Sequence, residues 1–84
     1  MEEWTLEDEF DFMQTWLLMH KYFYYTKNTQ HITDQHFDSA EAYTKGLAEK
    51  LGIELTDLDP CNMVGFNKES KYWKKVQKKY KNLL

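Results

Sequence analysis

From Leu6 to Tyr25 apolar residues recur at helical spacing, with Leu6, Phe10, Met13, Leu17 and Tyr24 on one stripe and Phe12, Trp16, Met19 and Phe23 on an adjoining one. Apolar positions recurring three and four residues apart describe a helix rather than a strand, because residues at those separations share a helix face. Two neighbouring stripes cover more circumference than one interior contact needs. Such a helix either sits at the centre of its domain or keeps a surplus face for another chain. The run Tyr22 to Tyr25 sharpens the point, since four consecutive side chains point around the whole helix and cannot all enter one core. At least one or two of these rings are expected at the surface.

The ends of the elements can also be read. Thr5 with Asp8 has the layout of a capping box, and Glu7, Asp8 and Glu9 suit the positive end of a helix dipole. Residues 27–31 are polar and unpatterned and form the connection out of the first helix. A second helix is predicted from Thr33 or Asp34 to Leu51, its inner side carrying Phe37, Ala40, Tyr43, Leu47 and Leu51, with Gly52 as its stop; Asp38 with Glu41 offers a later capping box. Gly46, inside that helix, implies close packing or a later start. Asp59 before Pro60 predicts a short helical turn near 60–64, closed by Gly65. Asn67 then caps a basic amphipathic helix whose stripe is Trp73, Val76, Tyr80 and Leu83. No segment alternates long enough to make a strand. The expectation is an all-α, compact bundle of three main helices, about 6–26, 34–51 and 68–83, in one domain spanning residues 1–84.

Composition narrows the setting. At 84 residues there is room for one core, and an aromatic content of 17% lets large rings fill it despite the short length. No apolar run approaches the ~18 residues that span a bilayer, so no membrane partner is expected. A single cysteine, Cys61, and the lack of a basic, apolar opening segment point to a reducing cytosol.

Charge is sorted along the chain. Residues 1–42 carry nine acids and two lysines, residues 43–84 five acids and nine lysines, giving about −7 and +4. Summed charge of this kind governs association more than fold. All eleven basic residues are lysine, and the absence of arginine argues against base-specific DNA reading. Leu47, Ala48, Leu51, Gly52, Ile53 and Leu58 resemble the apolar and glycine skeleton of helix-turn-helix DNA-binding units, but Glu54, Asp57 and Asp59 sit where such a unit would meet phosphate, so a plain helix corner is the stronger reading.

Motifs for chemistry are absent. His20, His31 and His36, with Asp34, Asp38 and Cys61, offer no recognised metal spacing, and no metal or cofactor is expected. Cys61 has no neighbouring base to activate it. Catalysis is not expected. What remains is a non-enzymatic adaptor or inhibitor that docks on a protein partner through an acidic and aromatic surface formed by Trp4, Glu7, Asp8, Glu9, Asp11, Phe12, Trp16, Tyr22, Tyr24 and Tyr25, with Glu2 and Glu3 extending the acidic stretch. Spaced carboxylates can occupy the lysine and arginine sites that otherwise hold a phosphate backbone, so a phage-type inhibitor of a nucleic-acid-binding protein fits this profile. The alternative is a small nucleic-acid-binding regulator using Lys71, Lys74, Lys75, Lys78 and Lys79. A third reading is a homo-oligomer that buries the wide face of its first helix.

Overall fold

The computed structural model describes residues 3–84, so Glu2 lies outside the described residues. Helix α1 (Leu6–Tyr25) opens on the expected capping box: the Asp8 amide donates to Thr5 Oγ1 at 3.1 Å, and the Thr5 amide donates to Asp8 Oδ2 at 3.0 Å. The chain reverses after Tyr25 through Asn28, which has a φ of 53°, while the Thr29 amide donates to the Phe23 carbonyl at 2.8 Å. Helix α2 (Asp34–Leu51) starts at Thr33, whose hydroxyl accepts from the His36 amide, so the earlier of the two predicted starts is used. It stops at Gly52, whose φ of 70° lies in the left-handed region that glycine enters without a Cβ clash.

The third helix is much shorter than predicted. Helix α3 (Trp73–Lys79) replaces the expected 68–83. Asn67 caps a local turn instead of a long helix: its Oδ1 accepts from the Glu69 amide at 2.9 Å, and the Ser70 amide donates to the Asn67 carbonyl. Ser70 repeats the device, accepting from the Tyr72 amide on its hydroxyl and from the Trp73 amide on its carbonyl. Short polar side chains that bond nearby amides compete with helix formation, which explains the late start. Bonds from the Leu83 and Leu84 amides to the Tyr80 carbonyl tighten the other end, leaving Leu83 exposed and outside the helix.

The predicted helical turn at 60–64 is also absent; residues 57–62 form tight turns. Asp59 does not cap forward. Its Oδ2 accepts from the Thr56 amide at 2.8 Å behind it, and its Oδ1 accepts from Gln14 Nε2 at 3.0 Å on α1. Because residues 53–56 are irregular and 57–62 form turns where a second helix would have to begin, the helix-turn-helix likeness ends at Gly52.

Helices α2 and α3 each pack on α1 and, among the described residues, not on one another. One flank joins Phe10, Met13 and Leu17 to Ala40, Leu47 and Ala48 of α2 and to Leu55 and Cys61 of the following loop. The other joins Leu18, Met19 and Phe23 to Met63, Tyr72 and Val76. The wide apolar surface of α1 is therefore that of a central helix, buried all round from Leu17 to Lys21. The radius of gyration is 12.5 Å, close to the ~12 Å of a folded chain of this length. Several predicted apolar-stripe positions point outward, Phe12 and Tyr24 of α1 among them. Leu6 is exposed in the first turn, and Tyr43 is 51% exposed while Thr44 takes the buried place, its hydroxyl bonded to the Ala40 carbonyl at 2.7 Å. Ala40, Thr44, Leu47, Ala48 and Leu51 centre the inner face, and Tyr43, though at helical spacing from Ala40 and Leu47, lies at its edge.

Candidate functional site

The N-terminal half of α1 emerges from the core with one side uncovered, and two grooves border it. The first, of about 520 Å³, runs between α1 and α3 with Trp4 and Phe12 on its floor, Asp8 and Asp11 on one lip and Lys75, Lys78 and Lys79 on the other. Trp4 is 61% exposed; its ring meets Phe12 edge-on at 6.2 Å, and its indole N–H donates to Glu9 Oε2 at 3.3 Å. Lys79 Nζ stands 4.0 Å from the Phe12 ring centre, and Lys75 Nζ pairs with Asp11 Oδ2 at 3.5 Å. Acidic and basic segments thus adjoin here. The lysines of α3 neutralise part of the acidic ridge instead of forming a separate basic face.

The second groove, of about 570 Å³, lies between α1 and residues 53–59. Exposed Ile53 and Leu58 supply apolar surface beside buried Phe10 and Tyr72. Five carboxylates surround it, from Glu7, Asp11, Glu54, Asp59 and Glu69, against one ammonium, Lys71. Two have structural work: Asp11 Oδ1 accepts from the Tyr72 hydroxyl at 3.2 Å, and Asp59 holds Gln14 and Thr56. Burial, then the Asp11 charge, pushes the Tyr72 hydroxyl well above its ordinary range, so it remains a donor. Glu7, Glu54 and Glu69 make no side-chain hydrogen bond or ion pair among the described residues.

The expected contact residues do not share one surface. Trp4, Glu7, Asp8, Asp11 and Phe12 lie beside these two grooves. Trp16 is half-buried against His20 and His36, at 4.3 and 6.0 Å between ring centres, and Tyr22 is half-buried against Phe66 and Trp73 at 5.5 and 5.1 Å. Tyr24 and Tyr25 are exposed at the far end of α1, their rings 4.8 Å apart. Lys71, Lys74, Lys75, Lys78 and Lys79 are all exposed on and beside α3, whereas the aromatics of the same segment, Tyr72, Trp73 and Tyr80, are buried or half-buried. Sequence reasoning missed Ile53, Glu54, Leu58 and Glu69 as neighbours of the acidic ridge. For Ile53, Glu54 and Leu58 the signal was present as apolar residues set in an acidic passage; the Gln14 to Asp59 contact across 45 residues brings that passage to α1, and the Tyr72 to Asp11 bond across 61 residues brings the segment that carries Glu69.

Little else in the molecule carries reactive groups. Among the described residues no cluster of His, Cys, Asp and Glu is arranged to hold a metal ion. Burial, reinforced by Asp59, pushes the Cys61 thiol up to about 11, so at neutral pH it is a thiol and not the nucleophilic thiolate. No helix among the described residues is long and apolar enough to cross a membrane. No protein-family model, curated protein or solved structure matches the chain.

Proposed function

We propose that this chain is a non-enzymatic interaction module, an adaptor or inhibitor, that docks a basic and apolar protein surface in the groove between α1 and residues 53–59. The observation that carries this reading is the pairing of exposed Ile53 and Leu58 with the uncommitted carboxylates of Glu7, Glu54 and Glu69. An apolar floor supplies contact area, while the carboxylates select a basic partner and speed its approach. Trp4 and Phe12 extend the contact around α1. A partner whose basic channel normally holds nucleic acid has the matching chemistry, and blocking that channel is the mechanism such a module would use. The reading includes a cytoplasmic setting, where Cys61 would stay reduced.

The test is paired capture from native-host lysate with the wild-type chain and a Glu7→Lys, Glu54→Lys, Glu69→Lys variant as baits. Asp8, Asp11 and Asp59 are left in place because they hold the cap, Tyr72 and Gln14. Basic proteins retained by the wild type and depleted at least tenfold by the folded variant are expected. Equal recovery by both baits would overturn the reading.

A further inference from the structure

At the opposite end of α1 a crevice of about 410 Å³ lies between the last turn of that helix and the first turns of α2. We propose that it binds an organic cation, an ammonium or guanidinium group. Rings come from Tyr24, Tyr25 and Phe37, the last already met by the Lys21 ammonium, and carboxylates from Asp34 and Asp38. A ring face and a carboxylate both stabilise a weakly hydrated cation, and they do so more strongly where water is partly excluded.

The molecule already uses this chemistry in the same wall. Lys21 is 3% exposed, yet its ammonium is accommodated by the Met63 carbonyl at 2.8 Å, Glu41 Oε2 at 3.3 Å and the Phe37 ring at 5.1 Å. A carbonyl, a carboxylate and a ring therefore hold one buried cation without help from solvent. Three carboxylates, from Asp34, Asp38 and Glu41, outnumber the Lys21 ammonium and the His31 imidazole in the lining, so the crevice keeps a net negative charge. His20 does not cancel it: burial first, then the charges of His31 and His36, hold its imidazole down to about 4, so it is neutral at pH 7. An anion would meet the same carboxylates with the only lining ammonium already engaged. An apolar ligand would desolvate Asp38 and the Asp34 oxygen that the Gln30 side-chain amide does not hold.

The site is separate from the groove at residues 53–59 and stands or falls independently of it. Two sources of the same chemistry are distinguished by probe: choline for a free cation, and acetyl-Gly-Arg-Gly-amide for a side chain presented by another protein. Each is compared with an uncharged counterpart, 3,3-dimethylbutanol and the citrulline tripeptide, in NMR titrations of the wild-type chain. At least one cation is expected to shift the ring resonances of Tyr24, Tyr25 and Phe37 saturably, at least tenfold more tightly than its neutral counterpart, and which one does so identifies the source. Asp34→Asn with Asp38→Asn should weaken that binding at least fivefold, whereas Glu54→Gln, in the other groove, should leave it unchanged. Equal binding of charged and neutral probes, or no saturable shift at these rings, would overturn the proposal.

Discussion

Gln14 is fully buried on α1, where it ties the helix to a distant loop: its amide nitrogen donates to Asp59, and its carbonyl accepts from the Cys61 amide at 3.0 Å. Gln14→Leu should cost about 1–3 kcal/mol in urea unfolding, since it strands the buried Cys61 amide. Lys21 and Glu41 obey a different rule. Removing the carboxylate alone leaves a buried ammonium poorly compensated, so Glu41→Leu should destabilise by roughly 1–3 kcal/mol, while the Lys21→Met, Glu41→Leu pair should recover much of the loss. His20 sets an acid limb. Its folded pKa of about 4 lies below its ordinary 6.5, so between those values the unfolded chain binds a proton that the folded chain refuses. Stability should therefore be complete above about pH 6.5 and fall as pH drops towards 4, by up to about 3 kcal/mol. His20→Phe should flatten the dependence of the urea midpoint between pH 7 and 4.5. None of these buried polar roles was legible in the sequence, because each partner other than a helix neighbour lies tens of residues away.

At the level of elements, local chemistry was readable where it acts alone. The Thr5–Asp8 box and the Gly52 stop depend on residues adjacent in the chain, and α1 and α2 fall where those signals put them. Helix α3 and the turns at 57–62 depend on competition: Asn67 and Ser70 accept from amides two residues ahead, and Asp59 bonds backward to Thr56 and across to Gln14, none of which helical periodicity counts. Gly46 and Gly52 separate two roles of one residue type. An added Cβ at Gly46 meets nothing within 4 Å, so the glycine reflects neither close packing nor a late helix start, and Gly46→Ala should stabilise by about 0.5–1 kcal/mol. Gly52 also has open space, but its positive φ makes Gly52→Ala destabilising by about 1 kcal/mol. Thermal unfolding of the two variants should move the midpoint in opposite directions.

Across the whole molecule, the all-helical architecture followed from periodicity, whereas the candidate surface was only half visible. The outward direction of part of Tyr22–Tyr25 was legible, and Tyr25 is 56% exposed while Phe23 is buried. Charge sorted along the sequence is brought together in space, because packing α3 along α1 sets Lys75 against Asp11 and Lys79 over Phe12. Charge left uncompensated gathers in the groove at residues 53–59, which the Gln14 contacts, the Tyr72 bond to Asp11 and the packing of Leu55 and Cys61 on α1 assemble together. The most direct measurement is an amide chemical-shift map of the 15N-labelled chain titrated with a short basic amphipathic peptide at low and high salt. Shifts centred on Glu7, Ile53, Glu54, Leu58 and Glu69 that weaken as salt rises are the expected result. No shifts at low salt, or shifts centred elsewhere, would contradict it.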